Sequence, residues 1–372
     1  MFELFPGNYA WSQAALRAMF VGGSPGDVLE AVDRLAGFVG DDIEAWFGVW
    51  NGIGRRLEDR GRRQLAHGHR VSAADTLRRA SVYLQWSCAF LPPRDERRRD
   101  THQRSIELFG LAGEVGAPHA RRIEVDYEGR QFPAWLVLPD GSKPAPCVIY
   151  LPGWDSTKEQ GFGLARALAE RGIATLLCDG PGIGEAVLFR GMPNRYDYEV
   201  PGRAAYERLL RETDLIDIDR IGVVGSSLGG YRAARFAAFE PRLQAAVVWG
   251  AIWDFGRAWR RQIAKPGSSL PTRDDHALHV MGVETLEAVT QALARWTLEG
   301  VASQIRCPLL ILHGERDSQI PLEDAQRLHD AASSQQKVLR IFTSEEGGSA
   351  HCQNDNRVLA HEEIGDWLMD VL

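Results

Sequence analysis

A serine alcohol is a poor nucleophile near neutral pH, and Gly225-Ser226-Ser227-Leu228-Gly229-Gly230 is a pattern that can remedy this. The apolar run Ile221-Gly222-Val223-Val224 leads into it, and residues 231–239 read as a helix leading out. Strand, Gly-flanked turn and helix are the context of a nucleophile elbow, which lifts Ser227 Oγ clear of the sheet at a helix N-terminus. The competing reading is a Gly-rich turn with no chemistry. Such a serine needs a base, and the base needs a carboxylate to orient it. Both are expected later in the chain, in the order acid then histidine, on loops past the carboxyl ends of strands. Leu309-Leu310-Ile311-Leu312 runs into His313-Gly314-Glu315-Arg316-Asp317, so Asp317 is the candidate acid and Glu315 the fallback. His351 is the one histidine between the strand-like run 338–342 and the last helical segment, which makes it the candidate base. His313 is expected to be structural, and His361 to be an exposed residue of the final helix. The oxyanion needs two N–H donors. Leu228 follows the nucleophile directly, and Trp154 lies in Pro152-Gly153-Trp154-Asp155 after the strand ending at Leu151.

Two textures position these groups. Residues 1–118 lack strand-like runs and carry helical periodicity, clearest over 75–91, where Leu77, Ser81, Leu84, Cys88 and Leu91 share a stripe. Ser72 and Asp75 are spaced like a capping box, and Pro92-Pro93 closes the segment. Residues 27–38 and 41–50 read as two more helices. From about residue 121 strands alternate with helices: a hairpin around Glu128-Gly129, then strands over 147–151, 173–178, 221–224, 245–249, 309–312 and 338–342. The helices expected between them include 158–171, closed by Gly172, 202–211 and the last, 356–372. Repeated units of this kind imply a mostly parallel, doubly wound α/β sheet over 119–372. Residues 253–303 form a polar, helical insertion long enough to serve as a lid.

Composition narrows the partners. The 372 residues are 44% hydrophobic and 25% charged, as in ordinary globular proteins. A net charge of −7 argues against a nucleic-acid partner. The five cysteines are scattered without a CxxC pair and read as reduced thiols. No signal-peptide pattern opens the chain and no apolar run reaches membrane-spanning length, so a cytoplasmic protein is expected. His67 and His69 lack an accompanying Cys or carboxylate cluster, so neither a metal nor another cofactor is expected. The Gly-rich stretch from Asp179 to Glu185 lacks phosphate-binding spacing and reads as a structural turn near the site mouth. Trp253, Asp254 and Trp86 are candidate pocket residues. Trp11, Trp46, Trp50 and Trp86 could together line a pocket for a flat aromatic substrate.

With these motifs in hand the chain resembles the dihydroxypseudooxynicotine hydrolase group of α/β-hydrolases. The likeness runs through Ser156-Thr157-Lys158-Glu159, the stretch from Asp179 to Glu185, and Gly225 to Gly230. It continues through Trp249-Gly250, Asp254, Ile311-Leu312-His313-Gly314, Asp317 and His351-Cys352. It implies an α/β-hydrolase fold with an N-terminal helical cap over 1–118, and Ser227, Asp317 and His351 as the triad. It also implies hydrolysis of a carbon–carbon bond beside a carbonyl, in an aromatic or polyketide-type ketone or 1,3-dicarbonyl. The group's nicotine-pathway enzyme uses an extra glutamate beyond the elbow helix, where residues 253–262 here offer Asp254 but no Glu. A carboxylesterase, lactonase or thioesterase would use the same triad. A catalytically silent binding protein is the alternative from another class. The expected partner is a small molecule, and the Trp-rich N-terminal part leaves a homodimer open.

Overall fold

Three of the five early helices begin at a side chain that satisfies free N–H donors of the first turn. The structure, a computed structural model, describes residues 3–38, 42–141, 143–263 and 273–372. Within these the early helices are α1 (Tyr9–Phe20), α2 (Pro25–Leu35), α3 (Ile43–Ala66), α4 (Arg70–Ser87) and α5 (Glu96–Val115). Asn8 Oδ1 accepts from the Trp11 N–H at 3.0 Å, and Asp42 Oδ1 from that of Ala45 at 2.8 Å. Asp95 Oδ1 accepts from the Arg97 N–H at 2.9 Å, and Pro25 opens α2.

Boundaries differ from the periodicity reading at several elements, most of all in α4, which also ends at Ser87 rather than 91, and in α3. The helix expected over 75–91 starts at Arg70, straight after a turn at Gly68 with φ +77°, so Ser72 lies inside it and caps nothing. The expected stripe of Leu77, Ser81, Leu84 and Cys88 is buried all the same. The helix expected over 41–50 runs on to Ala66, because Ile53, Leu57 and Glu58 continue its buried face among the arginines. Asp41, its expected first residue, lies outside the described residues, as do 264–272 of the expected insertion.

The described residues form two compact units, 3–121 with 273–279, and 122–263 with 280–372. The helical unit is built around tryptophans. Ring centroids lie 5.0 Å apart for Trp11 and Trp46, 5.3 Å for Trp46 and Trp50, and 5.0 Å for Trp46 and Phe90. The Trp46 indole N–H donates to the Trp86 carbonyl at 2.9 Å, which meets the polar need of that ring. Each aromatic pair adds roughly 0.5–1.5 kcal/mol beyond the area it buries.

The other unit is built on one sheet. Its strands are β1 (His119–Tyr127), β2 (Arg130–Leu138), β3 (Ala145–Leu151), β4 (Ala174–Cys178), β5 (Ile216–Ser226), β6 (Ala245–Trp249), β7 (Leu309–Gly314) and β8 (Lys337–Phe342). Their order is β1-β2-β4-β3-β5-β6-β7-β8, with β2 antiparallel to β4 and the run from β4 to β8 parallel. Glu128 and Gly129, both with positive φ, make the two-residue hairpin turn between β1 and β2. β4, β6 and β7 are buried along their whole length, which is why they read as unbroken apolar runs. The chain passes from β3 to β4 on one side and returns to β5 on the other. That reversal leaves a crevice at the carboxyl ends of β3 and β5. The expected insertion holds the helices Phe255–Ile263, Arg273–Met281 and Leu286–Leu293. Among the described residues no helix is long and apolar enough to cross a membrane.

Trp46 sits at the centre of the aromatic cluster, so Trp46→Ala is expected to lower the unfolding free energy by about 3–5 kcal/mol in denaturant titrations. Val71, 77% exposed, is the control, and Val71→Asp is expected to change it by no more than about 0.5 kcal/mol.

Candidate active site

β5 delivers Ser227 with φ 55° and ψ −121°, a left-handed backbone that non-glycine residues adopt at a cost of about 1–3 kcal/mol. The helix Leu228–Phe239 then leaves at once. Two glycines make this turn sterically feasible. A Cβ on Gly225 would lie 1.9 Å from the Gly229 carbonyl oxygen, and one on Gly229 would lie 1.9 Å from the Leu151 oxygen. No side chain fits at either place. The Ser227 N–H donates to the Trp249 carbonyl at 2.7 Å, and the Ser227 carbonyl accepts from the Gly230 N–H at 2.7 Å. The strained residue is therefore fastened at both ends.

The loops after β7 and β8 bring the two expected partners to this serine. His351 Nε2 lies 2.9 Å from Ser227 Oγ, and Nδ1 lies 2.5 Å from Asp317 Oδ2. With the Nδ1 proton on the Asp317 side, Nε2 is free to accept from the serine hydroxyl. Asp317 is in turn held by the N–H groups of Gln319 and Ile320, which donate to Oδ1 at 2.8 and 2.9 Å. Burial pushes the Asp317 pKa up, but His351 outweighs it and holds the carboxyl below its usual range. Burial likewise pushes His351 down, and the Asp317 carboxylate overrides it and leaves the imidazole well above its ordinary value. Glu315 is placed elsewhere, with Oε1 accepting from the N–H of Ser344 at 2.7 Å. His313 is wholly buried, its Nε2 3.1 Å from the Ile320 carbonyl oxygen, in the structural role expected of it.

Gly153 borders the nucleophile, since a Cβ there would stand 3.2 Å from Ser227 Cβ. Trp154 follows it, with its ring 5.2 Å from that of Phe255 and 6.2 Å from that of Trp259. Leu228 is the first residue of the elbow helix, where backbone N–H groups point out of the helix end. The loop that carries Gly153 and Trp154 ends at Lys158, whose charge is wholly buried. Its ammonium meets Glu159 at 2.8 Å, Asp179 at 3.0 Å and Glu185 at 3.1 Å. Asp179 also accepts from the backbone N–H groups of Lys158 and Glu185, at 2.7 and 2.9 Å. The Gly-rich stretch from Asp179 to Glu185 thus anchors the loop beside the nucleophile. Lys158 is one of four lysines in a chain that otherwise uses arginine, and that was the signal available for it.

The remaining candidates have other partners. Asp254 Oδ1 accepts from the Arg257 N–H at 2.8 Å and caps the helix Phe255–Ile263. The Trp253 N–H donates to Asp324 Oδ2 at 3.0 Å, and the Arg327 guanidinium lies over the Trp253 ring. Trp86 is packed into the helical unit, with the Arg17 guanidinium 4.7 Å from its ring centroid. His361, expected on an exposed surface, packs edge-on against Trp249 at 5.7 Å. Burial there, aided by nearby arginines, pushes its pKa down to about 3. Among the described residues no cluster of three or more His, Cys, Asp or Glu could hold a metal ion.

Comparison with known proteins agrees with this architecture. The sequence profile of the prolyl oligopeptidase family matches residues 163–372. The 2,6-dihydropseudooxynicotine hydrolase of Paenarthrobacter nicotinovorans is 34% identical over 333 residues, covering 88% of this chain and 84% of that protein. A solved structure of a 2,6-dihydroxy-pseudo-oxynicotine hydrolase superposes with a TM-score of 0.82 at 32% identity, covering 96% of this chain and 95% of the other. Hydrolase acrC of Aspergillus aculeatus is 27% identical over 423 residues, covering 99% of this chain and 97% of that protein.

The His351–Asp317 contact sets a pH signature. The acid limb of kcat/KM, which follows loss of the neutral imidazole on protonation, is expected above the unperturbed histidine value of about 6.5. Asp317→Asn should bring that midpoint down while cutting the rate by roughly 10³–10⁴-fold, both read from a pH–rate profile.

Proposed function

The chain belongs to the prolyl oligopeptidase family of α/β-hydrolases, and on that footing we propose that it is a serine hydrolase cleaving a carbon–carbon bond beside a carbonyl. The observation that carries the hydrolytic part is the unbroken contact from Ser227 Oγ through His351 to Asp317. The likeness to the dihydropseudooxynicotine hydrolase supports the carbon–carbon part. The rings of Trp154, Phe255 and Trp259 beside the nucleophile loop support an aromatic or polyketide-type substrate. The Trp259 indole N–H has no partner among the described residues and offers a donor to a substrate oxygen. Asp254 is spent on its helix cap and residues 253–262 hold no glutamate, which favours a substrate other than the nicotine-derived one.

In this reading Ser227 Oγ adds to the carbonyl carbon as its proton passes to His351 Nε2. Negative charge collects on the carbonyl oxygen, where the N–H groups of Leu228 and Trp154 receive it. On collapse the C–C bond breaks and its electron pair leaves on carbon, which an adjacent ketone or hydroxylated ring must delocalise. His351 returns the proton to that carbon. Water, deprotonated by His351, then attacks the acyl-enzyme and releases a carboxylic acid and free Ser227.

An aryl 1,3-diketone assayed beside its matched aryl ester, each with wild type and Ser227→Ala, tests this. Diketone cleavage that falls by at least about 10⁴-fold in Ser227→Ala is expected. Ester cleavage alone would make the protein a carboxylesterase, and a variant that kept most of its activity would refute the nucleophile.

A further inference from the structure

Arg232 stands five residues after Ser227 on the elbow helix, and its side chain is wholly buried. Nη1 donates to the Pro152 carbonyl at 2.6 Å and Nη2 to Asn194 Oδ1 at 3.1 Å. The guanidinium lies 4.5 Å from the centroid of the Tyr198 ring. Among the described residues no carboxylate meets it, and its Nε has no partner. Burial pulls its pKa down, and the phenols of Tyr198 and Tyr231 offset only part of that pull. Arg235, one turn on, is different: its fork meets both oxygens of Glu199, at 2.8 and 2.7 Å. A buried guanidinium held only by neutral acceptors is a costly way to stabilise a helix, since desolvation is only partly compensated.

Its target explains its place. Pro152 opens the loop that leads through Gly153 to Trp154, beside Ser227. A peptide unit is planar, so fixing the Pro152 carbonyl also fixes the direction of the Gly153 N–H and the entry to Trp154. We propose that Arg232 is a positioning residue for the oxyanion: Nη2, anchored on Asn194, lets Nη1 clamp the Pro152–Gly153 peptide, and its unpaired charge favours the negative charge that forms beside Ser227. The inference rests on the serine-nucleophile reading above. The charge it serves exists only in the transition state, so the clamp acts on turnover and leaves substrate binding alone. Lysine at this position would keep the charge but lose the fork.

The test measures fluorophosphonate labelling of Ser227 and steady-state turnover of an aryl ester, in wild type, Arg232→Met, Arg232→Lys and Ser227→Ala. Circular dichroism melts report which variants are folded. The expected result is a drop of about 10- to 100-fold in both labelling rate and kcat for Arg232→Met, with KM within about threefold. Arg232→Lys should fall between, and it decides the matter where Arg232→Met does not accumulate as folded protein. A folded variant that labels within twofold of wild type would overturn the clamp, as would a loss confined to KM. Wild type that fails to label at Ser227 would instead overturn the serine reading, so the two failures are separable.

Discussion

The passage of Gly229 against the Leu151 carbonyl is the contact on which the site depends. With 1.9 Å between a hypothetical Cβ and that oxygen, the elbow helix and the end of β3 touch backbone to backbone. That closeness puts the loop after β3 next to Ser227, so one steric fact supplies both the nucleophile and its oxyanion neighbour. It also forces the strained Ser227 backbone, which the Trp249 carbonyl and the first turn of the helix hold in place. The parallel strands beyond β5 then bring the loops after β7 and β8 to the same edge, with Asp317 and His351 in reach.

Charge buried under this edge keeps the loop beside the nucleophile from relaxing. Lys158 carries a positive charge into a fully buried place, where three carboxylates surround it and raise its pKa against the pull of burial. Asp179 ties both the backbone and the side chain of Lys158, so the far end of the loop is fixed by four oxygen contacts within one small volume. Buried pairs of this kind add little net stability over an apolar core, yet removing one partner leaves an uncompensated charge. They fit a region that must be held in one geometry. Arg232 grips the near end of the same loop without a counter-charge, and the two ends are thereby held by different means.

How much of this was legible follows from the range of each interaction. The elbow could be read because its glycines are local requirements of a single turn, and the buried strands because full burial writes continuous apolar runs. Asp317 and His351 were legible from their place after strands, since the fold delivers strand ends to one edge. The start of α4 was not, because it depends on the Gly68 turn rather than on a capping residue. The length of α3 was hidden by the arginines along its exposed face and by glycines, Gly54 and Gly61, that lie on its buried face. His361 looked exposed because its partner, Trp249, is far away in the sequence. Asp254 looked available until its oxygen was seen capping the next helix. Arg232 could not be told from the other arginines, since its identity lies in having no acid beside it.

In the proposed reaction Ser227 becomes covalently attached to the acyl half of a carbon–carbon bond. The most direct measurement is acid-quenched intact-mass analysis during turnover of an aryl 1,3-diketone, followed by peptide mapping. An adduct with the mass of the acyl fragment is expected on the peptide that contains Ser227, and none in Ser227→Ala. Turnover of the diketone with no adduct at any quench time, or with the adduct on another residue, would contradict that reaction.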